Sequence, residues 1–303
     1  MRYLFVIALL FFSQMGIFAQ TEQAHISPED HIQLHTYEDT LGFLGFAFIN
    51  DSLDQTRFAS VRKFIPTLVK ALKVKNSFHY PFERLRTVSI QYDPDSTFRI
   101  FTWQLFVDDN TYRYFGAIQH NSPDLKLFPL MDRSFEVTNP ETADLTNDNW
   151  FGCLYYNMAP FDTPEGKKYL LFGLDYHDFH TRRKIIDVLS FDPSGKPSFG
   201  SEVFSSATHP QRFDNKKRLI LEYSAQANVS SNFNEHMGIV VFDHLKAFNM
   251  PSGPTFIPDG SYEGLQLENA RWSHIEKLFN QVSEEAPRPE PVLDARKKDI
   301  FGQ

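Results

Sequence analysis

The sequence predicts an α+β protein: an N-terminal helical hairpin packed on a large antiparallel β-sheet system, sandwich or barrel-like, with a disordered C-terminal tail. Three observations carry this reading. Residues 27–76 place apolar side chains at helical spacing. From Arg86 the period changes to two, and roughly eight to ten short apolar runs follow, separated by turn residues and by no helical pattern. Residues 281–303 are charged and proline-rich. The expected division is therefore 1–19 signal segment, 20–78 helical segment, 79–280 antiparallel β domain and 281–303 tail.

Taken in order, the chain opens on a secretory signal. Arg2 is a short positive region, Tyr3–Phe12 an apolar core, and Gly16-Ile17-Phe18-Ala19 offers a cut after Ala19. Ser13 and Gln14 break the apolar run short of the roughly 20 residues a span needs, which argues against a membrane anchor. No membrane span is expected after signal removal. Export to the periplasm or cell envelope follows.

Ser27-Pro28-Glu29-Asp30 starts the first helix: Ser as N-cap, Pro in the first turn, acids at the positive dipole end. It runs to about Ile49, and Asn50-Asp51-Ser52 punctuates the chain. The second pattern covers Leu53–Lys75, with Phe58, Val61, Phe64, Ile65, Leu68, Val69 and Leu72 on one face and Arg62, Lys63, Lys70 and Lys73 opposite. Such a basic face meets anionic lipid or an acidic partner, or is simply solvated. Pro66 is expected to kink this helix or split it in two.

Strands are expected at Thr87–Tyr92, Phe98–Phe106, Tyr112–Gln119, Leu125–Leu130, Trp150–Asn157, Tyr169–Asp175, Lys184–Phe191, Leu219–Ser224 and Gly238–Phe242. Phe98–Phe106 and Tyr169–Phe172 are apolar on both faces, so both of their faces are covered. Phe-Gly pairs end at Gly116, Gly152, Gly173 and Gly200 without a fixed period, which argues against a propeller and for bulges or tight crossings. Pro258-Asp259-Gly260 reads as a turn.

Composition narrows the function classes. With 31 Phe, 12 Tyr and 3 Trp, and charged residues at only 22%, the chain has the means to form a core. A net charge of −8 excludes a general nucleic-acid binder. Cys153, the single cysteine, excludes an internal disulfide and a cysteine-built zinc site, and its apolar surroundings read as a buried, inert thiol.

The runs Phe98–Leu105, Tyr112–Gln119 and Pro258–Gly264, with the tail segment Glu285–Pro289, resemble uncharacterised secreted proteins of Bacteroidota. The resemblance extends over nearly the whole chain after the signal. It implies an envelope location and assigns no activity and no site residue.

Two constellations bear on chemistry. Asp175-Tyr176-His177-Asp178-Phe179-His180 gathers imidazoles and carboxylates at the end of an apolar strand. Asp175, His177 and His180 are the metal candidates, and the competing reading is a polar hairpin tip. His31 and His35 lie one helical turn apart and read as a solvated face, since no zincin glutamate follows His31. Asp187, Glu222 and Asp243 are carboxylates inside apolar strands, the pattern of an acid–base pair in glycoside hydrolysis. Arg99, Arg113 and Arg183 also occupy strand patterns, so structural ion pairs are the competing reading. Gly260-Ser261-Tyr262-Glu263-Gly264 lacks the spacing of a serine elbow, and no phosphate loop occurs. The expectation is an exported, non-catalytic interaction or binding protein without a cofactor, whose partner is an envelope protein or glycan. The alternative is a hydrolase with a carboxylate or divalent-metal site.

Overall fold

The computed structural model describes residues 25–108, 111–250 and 253–279. The expected signal segment 1–19 and the proline-rich tail 281–303 lie outside the described residues. Helix α1 (Pro28–Asn50) starts at Ser27, whose Oγ accepts from Asp30 N at 3.1 Å. Leu34, Leu41, Leu44 and Phe48 form its buried face. Helix α2 (Asp54–Leu72) buries Val61, Phe64, Leu68 and Leu72 and runs unbroken through Pro66. The expected split therefore does not occur. Phe64 and Leu68 hold the turns on either side in the core, and Thr67 Oγ1 donates to Lys63 O at 2.8 Å beside the position where proline lacks a donor.

The strands form three sheets. Sheet 1 is a meander of β1 (Ser89–Tyr92), β2 (Phe98–Asp108), β3 (Thr111–His120) and β4 (Leu127–Met131). Sheet 2 contains β5 (Leu145–Thr146), β6 (Leu154–Thr163), β7 (Gly166–Asp175), β8 (Thr181–Phe191) and β9 (Pro197–Phe199) in the order 5-9-8-7-6. The chain then contributes β10 (Phe204–Ser205) to sheet 3 and a short helix, α3 (Pro210–Phe213). Next, β11 (Leu219–Ser224) returns to pair with β8. Sheet 3 is completed by β12 (Ser231–Asn234), β13 (Ile239–Met250), β14 (Gly253–Glu268) and β15 (Arg271–Ile275), in the order 10-15-14-13-12. Among the described residues all pairings between these strands are antiparallel except the two-residue β10–β15 contact, and an isolated parallel bridge joins Asp132 to Trp150.

These elements stack as four layers: helices, sheet 1, sheet 2, sheet 3. Three apolar cores lie between them. Phe101, Trp103 and Leu105 of β2 meet α1 and α2, whereas Phe98 and Ile100 of the same strand meet Tyr155, Leu171 and Ile185 of sheet 2. On β7, Tyr169 and Leu171 face sheet 1, and Leu170 and Phe172 face Val240, Phe242 and Trp272 of sheet 3. The period-two alternation thus serves a different core on each face, which is why these strands are apolar throughout.

Two buried arginines tie the layers together. Arg57 donates to Asp51 O and Ser52 O at the end of α1 and to Phe106 O and Val107 O of β2. Arg99, fully buried, donates to Tyr80 O at 2.7 Å, Ser77 O at 2.8 Å, Gln119 Oε1 at 2.9 Å and Tyr92 Oη at 2.6 Å. The carbonyls fix the segment after α2 onto sheet 1 in place of a carboxylate partner.

The turn expected at Pro258-Asp259-Gly260 is corrected: these residues lie inside the 16-residue strand β14. Gly260 takes φ +86, Asp259 Oδ1 accepts from Ser261 N, and the register slips between Asp243 and Leu245 on β13. The residues that look like a chain reversal make a bulge that bends a long strand.

Candidate functional site

A cavity of about 480 Å³ opens between the ends of sheets 1 and 2. Its walls come from the start of β3, the end of β4 with Asp132–Phe135, Phe151, the end of β7 and the start of β8. Sheet pairing places the residues. Asp175 closes β7 opposite Arg183 on β8, and Arg113 pairs with Leu105 near the open end of sheet 1.

Asp175 is the buried acid of this cleft. Its Oδ1 accepts from Tyr114 Oη at 3.0 Å and from His177 N at 2.8 Å, and the Tyr114 hydroxyl accepts from Tyr176 N at 2.7 Å. Its Oδ2 lies 3.8 Å from His177 Nδ1 and 3.9 Å from Arg183 Nη1. His177 reaches this position through a φ of +43, a conformation sparsely used by residues with a Cβ and one that concentrates at functional sites. Burial pushes the Asp175 carboxyl above the usual carboxylate range, against the hydrogen bonds from His177 N and Tyr114 and the charges of His177 and Arg183. Burial, with the Asp175 charge, also raises Tyr114, so the phenol keeps its proton and donates it to Asp175.

A second acid, Asp132, braces the wall. It accepts from Tyr114 N at 3.0 Å, Ser134 N at 3.1 Å and Ser134 Oγ at 2.6 Å. Gly152 lies against this carboxylate so closely that a Cβ there would sit 2.5 Å from Asp132 Cγ. Arg113 is exposed, and its guanidinium has no hydrogen bond or ion pair among the described residues. Met131 and Phe135 stand 51% and 81% exposed beside it. The cleft therefore offers an unneutralised guanidinium, one carboxylate oxygen free of hydrogen bonds among the described residues, and an apolar shelf.

The structure brings Asp175 and His177 together and leaves His180 apart. His180 N donates to Asp178 Oδ1 at 2.7 Å, and its ring meets Phe179 edge to face. Among the described residues no group of three or more His, Cys, Asp or Glu is placed to hold a metal ion. Among the described residues Asp187, Glu222 and Asp243 share no partner, and no cavity described is lined by more than one of them. Asp187 is fully buried in the core between sheets 1 and 2, 3.0 Å from Arg218 Nε. Glu222 takes Arg183 at 2.7 and 2.8 Å on a neighbouring cavity of about 300 Å³. Asp243, on sheet 3, accepts from Ser230 N at 2.6 Å and Ser230 Oγ at 2.9 Å. Cys153 is buried; burial first, then the charges of Asp187 and Asp175, push its thiol well up.

Sequence reasoning missed Tyr114, Asp132 and Phe135, and read Arg113 only as an ion-pair partner for the strand carboxylates, a pairing it does not make among the described residues. The available signal was Tyr112-Arg113-Tyr114, where a core-facing tyrosine on a strand requires a hydrogen-bond partner for its hydroxyl. Another missed cluster centres on Glu263, which binds Arg212, His244 and His274. Ser206 Oγ lies 3.1 Å from His274 Nδ1 in the order of a nucleophile relay, yet it is buried, already accepts from His209 N, and lines none of the cavities described. No protein-family model, curated protein or solved structure matches this chain.

Proposed function

We propose that the protein is exported to the cell envelope and acts there as a non-catalytic binding protein whose cleft holds a small amphipathic anion. The observation that carries the reading is Arg113, an unpaired cation beside the exposed Met131 and Phe135 at the mouth of a preformed cavity. The ligand's anionic group pairs with Arg113, and its apolar body lies on the shelf. Asp175 Oδ2 accepts from a donor on the ligand. The signal pattern at residues 1–19 and the resemblance to secreted Bacteroidota proteins support export.

Calorimetric titration with aryl and acyl carboxylates and phosphate monoesters tests the binding. One of these classes is expected to bind, with affinity falling about 10-fold to 100-fold in Arg113→Glu, the range of a lost charge-assisted pair. Equal affinity in that variant, or no binding by any class, overturns the reading. Mass spectrometry of the envelope fraction tests export, with a mature chain beginning at Gln20 as the expected result.

A second reading, hydrolysis in the same cleft, rests on Asp175. A carboxyl raised by burial and set beside a histidine suits proton donation to a leaving group. Turnover of a chromogenic glycoside or ester that is lost in Asp175→Asn would replace the first reading with this one.

A further inference from the structure

The helical layer carries a feature that the cleft does not use. On α1 the face turned away from sheet 1 holds Ile32, Phe43 and Phe46, with Leu53 in the turn that follows. Phe43 and Phe46 are 75% and 64% exposed. On α2 the corresponding outward face holds Arg62, Lys63, Lys70 and Lys73, all exposed and without an ion pair among the described residues. From Gln55 to Phe82 the chain contains Arg57, Arg62, Lys63, Lys70, Lys73 and Lys75 and no Asp or Glu, within a chain of net charge −8. The acids of the same layer equal these bases in number but lie away from the outer face of α2, and Glu38 is buried, where it accepts from Tyr80 Oη and Arg84 N. Asp39 on α1 is taken by Arg84, Asp51 and Asp54 lie at the hairpin turn, and Glu29 and Asp30 lie at the start of α1.

We infer that this face docks on a bilayer of anionic phospholipid. Exposed phenylalanine rings beside a row of unpaired cations are the two terms of interfacial binding: apolar burial at the headgroup boundary and attraction to negative lipid. None of the three cavities described is lined by a residue of α1 or α2, so the contact rests on the outer surface of the helices, which suits a deformable partner. Among the described residues no helix is long and apolar enough to cross a membrane, so this contact would be peripheral.

The test is co-sedimentation of the purified protein with phosphatidylglycerol vesicles and with phosphatidylcholine vesicles. Binding is expected to the first and not to the second. It should be lost in about 1 M salt, where the screening length falls to about 3 Å. Lys63→Glu/Lys70→Glu is expected to weaken partitioning about 10-fold or more, since each basic residue near an anionic surface contributes measurably. Phe43→Ser/Phe46→Ser should also weaken it, because the rings supply the apolar term. All four side chains are exposed, and unchanged thermal melts of the variants would confirm that they fold; the salt and lipid dependence of the wild type stands whatever the variants do. Equal binding to both lipids, binding untouched by either variant, or none to phosphatidylglycerol at low salt overturns the inference.

Discussion

Glu263 shows how much a single side chain contributes when its partners outweigh its burial. It is 1% exposed on β14, with Arg212 Nη1 at 2.9 and 2.7 Å from its two oxygens and His244 Nδ1 and His274 Nε2 each at 2.7 Å. Burial pushes the carboxyl up, but the hydrogen bonds from His274, Arg212 and His244 and the Arg212 charge hold it down to about 2. The unfolded chain therefore takes up this proton first. The stabilisation is complete above the unfolded value of about 4.3 and is lost as the pH falls through about 2. Urea denaturation should place wild type on the order of 3 kcal/mol above Glu263→Gln at about pH 6, with the gap mostly closed near pH 2. An equal gap at both values would show that the cluster acts by shape and not by charge. The same scale explains what the sequence revealed of the cleft. Asp175 and His177 are two residues apart, so a turn after an apolar strand was enough to single them out. Tyr114 lies 61 residues from Asp175, and the bond between them crosses from one sheet to another. No local period encodes a contact made by sheet stacking. Asp187 misled for the same reason: a carboxylate in an apolar strand looks alike whether it faces a substrate or Arg218.

Among the elements, α2 departs most informatively from its sequence signal. Proline removes a backbone donor and crowds the carbonyl four residues earlier, yet the helix continues because Phe64 and Leu68 are held in the first core. That tolerance costs stability. Pro66→Ala restores the donor at an exposed position and should raise unfolding free energy by about 1–3 kcal/mol, read as a higher urea midpoint at unchanged slope. An unchanged midpoint would mean that the helix already relieves the clash by bending. Elements with one strong local cause were legible: α1 from its cap, α2 from its apolar face, and β11 at its observed bounds, Leu219–Ser224. Strands β5, β9 and β10 were not, because two or three residues cannot display a period. The recurring glycines did mark tight crossings: a Cβ on Gly173 would lie 2.6 Å from Cys153 Sγ. They occur in sheet 1 and sheet 2 and in the connections around sheet 2, so the crossings are not confined to one sheet system.

At the scale of the whole molecule, the stacking order governs how the protein unfolds. Three separate cores suggest three separable transitions, but sheets 1 and 2 each contribute to two of them. Phe101 and Ile100 are adjacent on β2 and belong to different cores, as are Leu170 and Leu171 on β7. Losing the helices would expose one face of sheet 1, including Phe101, Trp103 and Leu105, and would release the Arg57 and Arg99 bonds that hold its strands and loops in place. A sheet that is half exposed cannot retain the register its other face needs, because a one-residue slip exchanges the two faces. The helical layer is therefore expected to melt with the sheets and not ahead of them. Phe64→Ala provides the test, since Phe64 is fully buried against Phe48 and Trp103 and its truncation should cost about 3–5 kcal/mol. Helical ellipticity and the fluorine resonance of Trp150 in 5-fluorotryptophan-labelled protein, which is resolved from Trp103 and Trp272, should shift to lower temperature together, Trp150 being buried in the second core. If the ellipticity falls first while the Trp150 signal holds, the helices are a separable unit, and alternation across sheet 1 does not transmit the loss.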